Sequence, residues 1–110
     1  MENQKFEVSV KALLFDSAGR ILIMKEKPEH QNWMVPGGRL QPNETIQDGL
    51  ARELMEETSL PVPDDLKLID VYVITNRLGQ PTADVIFSGS LPDGRLTLSD
   101  EHVESKWISR

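Results

Sequence analysis

The sequence predicts an α/β fold in one domain spanning residues 1–110, and three observations carry that prediction. Segments with strand-like apolar patterning stand on both sides of the chain's middle. Between them lies a capped helix with an apolar stripe. A chain of 110 residues can bury one modest core but not two.

Phe6, Val8, Val10, Ala12 and Leu14 alternate with mostly polar residues, the pattern of a half-buried strand. Asp16-Ser17-Ala18-Gly19 is a turn by composition, and the apolar run Ile21–Met24 is expected to return as the second strand of a hairpin. Residues 25–32 are charged, contain Pro28 and read as a surface loop in which His30 is solvated. Trp33-Met34-Val35-Pro36-Gly37-Gly38 reads as a turn feeding the helix, because Pro36 extends Val35 and the glycines permit close backbone approach. Residues 66–75 carry Leu66, Leu68, Ile69, Val71, Val73 and Ile74, a strand whose alternation slips near Leu68–Ile69 and so marks a bulge. After a turn at 76–81, residues 83–88 form the returning strand with Val85, Ile86 and Phe87 buried. A further turn at 91–95 leads to a short extended piece at 96–98.

Composition limits the function. Charged residues make up 27% and hydrophobic ones 38%, as in an ordinary globular chain. A net charge of −6 argues against gripping a nucleic-acid backbone, so no nucleic-acid partner is expected. With no cysteine there is neither a thiolate metal site nor a cysteine nucleophile. No segment approaches about 18 apolar residues, so no membrane span is expected. The polar start of the chain does not read as a signal peptide, and the expected location is cytoplasmic.

The helix should run from Ile46 to Thr58, capped by Thr45 with Asp48 reaching back, and closed by Ser59 and Pro61. On a helical wheel, Ile46, Leu50 and Leu54 form an apolar stripe about 80° wide. Glu53 and Glu57 fall within about 20° either side of Ile46, with Glu56 beside them. Asp48, Arg52 and Glu56 are spaced as a salt-bridge ladder. Glu53 and Glu57 have no cation at that spacing, and like charges so placed repel unless a cation joins them. Three carboxylates without histidine or cysteine suit magnesium or manganese better than zinc. Gly49, costly inside a helix, is expected to permit close helix–sheet packing. Ser59 must take the left-handed closing position, which costs a non-glycine residue about 1 kcal/mol.

Gly38, five residues, Glu44, seven residues, Arg52-Glu53-Leu54-Met55-Glu56-Glu57, then Leu60: this pattern resembles the Nudix box. Eight of its nine constrained positions match, and Ser59 stands where the family has its final glycine. Trp33-Met34-Val35-Pro36-Gly37 and Trp107-Ile108 also resemble the family. The resemblance implies an α/β/α sandwich with a mixed sheet, here lacking the usual helix after Trp107-Ile108. The uncovered sheet face would invite association, so a homodimer is expected.

The resemblance further implies Mg²⁺-dependent (or Mn²⁺-dependent) hydrolysis of a nucleoside diphosphate linked to another group. A (deoxy)nucleoside triphosphate or related nucleotide is the preferred substrate. Glu53, Glu56 and Glu57 would hold the metal with the Gly37 carbonyl, and Arg52 would fix a glutamate rotamer. Glu44 is its expected partner, with Asp48 and Glu56 competing on spacing. The family's general base often lies in a later loop, where Glu101 is the first candidate and Glu104 the second; both also read as an acidic surface loop. His102 between them reads as solvated. Trp33, Tyr72, Phe87 and Trp107 are the aromatics available for base stacking, each equally readable as core. The alternative is a catalytically silent Nudix-fold module that senses a nucleotide or binds a protein. Intact Glu53, Glu56 and Glu57 argue against it, while Ser59 and the missing helix argue for it.

Overall fold

The alternation of Val8, Val10, Ala12 and Leu14 puts their side chains on one face of strand β1 (Glu7–Phe15), and this strand is the centre of the fold. The structure, a computed structural model, describes residues 5–26, 33–75, 78–91 and 102–108. On one side β1 runs parallel to β6 (Pro81–Ser90), in register from Glu7–Thr82 to Phe15–Ser90. On its other side the short β4 (Gly37–Arg39) pairs antiparallel with Ser9, Val10 and Lys11. β5 (Lys67–Thr75) closes that edge against β6, and its register shifts between Leu68 and Asp70, the expected bulge. The remaining strands among the described residues are β2 (Ile21–Glu26), β3 (Trp33–Met34) and β7 (His102–Ile108), which make the described sheet seven-stranded and mixed.

The hairpin expected between the first two strands exists only at its turn. β2 meets β1 at Phe15–Ile21 and then diverges to pair with β7 along most of its length and with β3 at Met24 and Lys25. The reason is competition for the edge of β1, because Ser9 to Lys11 are already paired with β4. Residues 33–38, expected as a turn, therefore contribute strand pairings on either side of Val35-Pro36.

The one helix among the described residues, α1 (Ile46–Thr58), has the bounds its sequence predicts. The Thr45 hydroxyl accepts from the Asp48 amide, and Ser59 closes the helix at φ 62°, ψ 21°. α1 lies against β1 and β4. Leu50 and Leu54 meet Val10, Ala12, Leu14, Leu22, Met24, Val85 and Phe87 in the core. Val85, Ile86 and Phe87 are all buried, as expected.

The other face of β1 carries Glu7, Ser9, Lys11, Leu13 and Phe15, in register with Thr82, Asp84, Ile86, Ser88 and Ser90 of β6. On β5, Leu68, Ile69, Val71, Tyr72, Val73 and Ile74 are each 40–57% exposed. Among the described residues no helix is long and apolar enough to cross a membrane. The extended piece expected at 96–98 lies outside the described residues.

Candidate active site at the entry of the helix

The two glycines before the helix do separate jobs. Gly37 has φ 150°, and a Cβ there would stand 2.1 Å from the Val10 carbonyl oxygen and 2.8 Å from the Lys11 Cα. Only glycine lets β4 lie this close to β1. The Gly37 amide donates to Glu57 Oε1 at 2.8 Å, fixing a carboxylate that is only 5% exposed. A Cβ on Gly38 would meet the Glu53 carboxyl carbon at 2.5 Å, so Gly38 clears the space that Glu53 occupies. The turn thus places Glu57 and Glu53 by an amide and by an absence of side chain. Sequence reading gave the glycines a shared backbone role and missed this division, which only the pairing of β4 with β1 reveals.

Arg52 ties the remaining carboxylates together. Its Nε donates to Glu44 Oε2 at 2.8 Å and its Nη2 to Glu44 Oε1 at 3.0 Å, a two-pronged ion pair. Nη1 donates to Glu53 Oε1 at 2.9 Å and to Glu56 Oε2 at 3.3 Å, and Nη2 also reaches the Arg39 carbonyl at 3.1 Å. Glu44 accepts from the Gln41 amide as well, at 2.9 Å. The Arg52 guanidinium and then this amide pull the Glu44 carboxyl down to about 2.

Glu44 is the expected partner of Arg52, approaching the guanidinium from the helix entry and matching its fork, and of the two competitors on spacing Glu56 is engaged while Asp48 is not among its carboxylate partners. One expectation is corrected: Glu53 and Glu57 do not stand without a counter-charge, because Arg52 bends back onto its neighbour Glu53. Gly49 serves this cluster too. A Cβ there would stand 2.2 Å from Leu40 Cδ2 and 3.0 Å from Glu44 Oε1, so the glycine admits the preceding loop rather than the sheet.

Burial raises the Glu53 carboxyl above its ordinary value against the opposing pull of Arg52, and the charge of Glu56 adds to the rise. A hydrogen bond with Glu57 lowers it, which places the two carboxyl groups side by side. Among the described residues no three His, Cys, Asp or Glu side chains converge on one point. Glu56 is the one turned away, with its side chain 57% exposed and held on Arg52. Glu53 and Glu57 offer oxygen donors alone, the kind that suits a hard divalent cation.

Glu101 lies outside the described residues. Glu104 is on β7, its backbone paired with Lys25 of β2, and His102 pairs with Glu26. Of the aromatics, Phe87 is core and Trp107 packs against it, half-buried. Trp33 lies under the Lys106 ammonium, 4.2 Å from the ring centre, and Tyr72 is 40% exposed on β5.

The mixed sheet and its glycine-fed helix place the chain among α/β proteins that carry their polar site at a helix entry. Residues 5–110 match the NUDIX domain family, and the chain belongs to that family. It is 39% identical over 70 residues to a MutT-like protein of Streptomyces ambofaciens, covering 64% of this chain and 44% of that one. It is 30% identical over 98 residues to a putative 8-oxo-dGTP diphosphatase of Bacillus subtilis (strain 168), covering 88% of this chain and 62% of the relative. The chain thus spans less than two thirds of the length of either relative. Among solved structures, the MutT protein from Methanosarcina mazei Go1 superposes with a TM-score of 0.81 at 27% identity, over 99% of this chain and 80% of that one.

Proposed function

We propose that this chain hydrolyses a diphosphate bond in a nucleoside diphosphate linked to another group, with Mg²⁺ or Mn²⁺ as the cation. A (deoxy)nucleoside triphosphate is the preferred substrate class, a choice supported by the name of the Bacillus subtilis relative. The observation that carries the reading is the placement of Glu53 and Glu57 side by side against Gly38 and Gly37. Two partly or fully buried carboxylates in contact cost stability unless a cation or a proton joins them. In this reading Glu53, Glu57, Glu56 and the Gly37 carbonyl would hold the metal.

A bound divalent cation supplies neutralisation of the diphosphate oxygens and makes a coordinated water more acidic. The chain's own residues do the rest. Glu44 anchors Arg52, Arg52 sets the rotamer of Glu53, and Gly37 sets that of Glu57. Glu101, six residues before Trp107, takes the proton of the attacking water, with Glu104 the next candidate.

The test is a panel of nucleoside diphosphate derivatives incubated with Mg²⁺ while released phosphate or pyrophosphate is measured. Glu57→Gln keeps an oxygen for the Gly37 amide and removes the charge. Its turnover is expected to fall roughly 100-fold or more, at or beyond the loss typical when a ligand's supporting partner is removed. Turnover unaffected by Glu57→Gln would sink the site assignment. The silent module is the second reading, favoured by the engagement of Glu53 and Glu56 with Arg52 and the lack of a converged third carboxylate among the described residues. It predicts no turnover anywhere in the panel.

A further inference from the structure

Strand β5 is nine residues long, and every one of them is exposed. An antiparallel strand with one solvated face ordinarily shows polar residues there. β5 instead shows apolar residues on both faces. Leu68, Val71 and Val73 lie on the α1 face, because they pair with Phe87, Val85 and Ala83. Tyr72 and Ile74 lie on the other, paired with Asp84 and Thr82.

The strand also has an open edge. It ends the strand order and, among the described residues, pairs with β6 alone. The main-chain N–H and C=O groups on its outer side are a template for a further strand. Such edges are ordinarily guarded by charge, proline or a bulge. β5 carries its guards at one end: Lys67, Asp70 and the register shift between Leu68 and Asp70. Residues 71–75 contain no charge, proline, glycine or irregularity. That half is unguarded.

We propose that this edge is an interface between two copies of the chain, in which residues 71–75 of each β5 pair antiparallel about a two-fold axis at Val73. Centring on Val73 matches 71–75 with itself and leaves Asp70 and the bulge outside the new ladder. Val73 then faces Val73 of the second copy, Tyr72 faces Ile74 and Val71 faces Thr75, which are aromatic and β-branched pairs throughout. This self-match favours a second copy over a foreign strand. Area agrees with it: six large side chains, each 40–57% exposed, leave roughly 500 Å² a chain, so two copies offer on the order of 1,000 Å², the lower limit of a specific interface. The pairing closes at two, since β5 has one free edge and the opposite end of the strand order, β3, is two residues long. It leaves the Glu53–Glu57 pair open, because β4 meets β1 on the side away from β6.

The experiment is sedimentation equilibrium, from micromolar to several hundred micromolar protein, on the wild type and Val73→Lys, with oxidative cross-linking of Val73→Cys and Val71→Cys. The wild type should approach twice the chain mass. Val73→Lys sets like charges directly opposite each other across the axis, so it should run as a monomer with an unchanged circular-dichroism spectrum. The chain has no cysteine of its own, so each Cys variant carries a single thiol. Residues facing each other across antiparallel strands have Cα atoms about 4.5–5.5 Å apart, within reach of a disulfide. Mild oxidation should therefore turn Val73→Cys into a covalent dimer. Val71→Cys, whose thiol faces Thr75 and lies too far from its own copy, should stay monomeric under denaturing electrophoresis. A wild type that remains a monomer across the whole range overturns the inference. So does a dimer that survives Val73→Lys, or equal cross-linking of the two Cys variants. Should Val73→Lys fail to fold, the wild-type mass and the Cys pair decide, because Val71 and Val73 are 52% and 57% exposed and a smaller side chain is tolerated at both.

Discussion

Gly37 and Gly38 are adjacent and alike in sequence, yet a methyl group would have opposite consequences at the two positions. At Gly37 the methyl meets backbone, the Val10 carbonyl oxygen at 2.1 Å, and the φ of 150° is itself strained for alanine. Backbone cannot yield cheaply, so Gly37→Ala should unfold or strongly destabilise the protein. At Gly38 the methyl meets the far end of the Glu53 side chain, 2.5 Å from its carboxyl carbon. That end can rotate away. Gly38→Ala is expected to keep its melting temperature within a few degrees while losing on the order of 10² in kcat/KM, the usual result of displacing a working group by about 1 Å. Circular-dichroism melts and steady-state kinetics on both variants check the pair. A Gly38→Ala enzyme of full activity would remove Glu53 from the site.

At the scale of elements, α1 was legible because its signals are local. Thr45, the Ile46–Leu50–Leu54 stripe and the closing Ser59 lie within one turn of the residues they govern. The strands were legible as strands but not as neighbours. β2 carries the same apolar run whether it pairs with β1 or β7, and the choice was made by β4, three residues whose glycines look like a turn. In the Arg52 cluster helical spacing alone could not choose among Glu44, Asp48 and Glu56, and the structure engages Glu44 and Glu56. That loop-to-helix clamp carries a pH signature. Glu44 falls from the ordinary 4.5 to about 2 on folding, so its stabilisation is fully present above pH 4.5. It disappears as pH falls toward 2, where the folded carboxylate takes its proton. Glu44→Gln should therefore melt lower than wild type at neutral pH, with the difference shrinking between pH 4.5 and pH 2. A difference that stays constant across that range would mean that Glu44 acts by packing and not through its charge.

At the scale of the whole molecule, α1 covers one face of β1 and β4 and leaves the carboxylate cluster on the rim, where β4 meets the helix. Sequence pattern predicted the layers because burial imposes period on both helix and strand. Helical spacing put Glu53 and Glu57 together, but the separate parts Gly37 and Gly38 play in placing them depend on β4 lying on β1. Folding therefore assembles the candidate metal site, and a cation that binds only the assembled site must stabilise the fold. At a metal concentration one hundred times Kd the gain is about 2.7 kcal/mol. For a chain of this size each kcal/mol raises the melting temperature by roughly 4–8 °C. Millimolar Mg²⁺ or Mn²⁺ is accordingly expected to raise the melting temperature of the wild type, and EDTA to reverse the rise. Glu57→Gln should show a smaller shift, because one ligand charge is gone while the hydrogen bond to Gly37 stays available. The melts should be repeated with nucleotide present, since phosphate oxygens complete the coordination of a weakly held cation. A wild-type melting temperature that ignores metal both with and without nucleotide would take the cation away from Glu53 and Glu57. The contact between the two carboxyl groups would then be one that a shared proton satisfies.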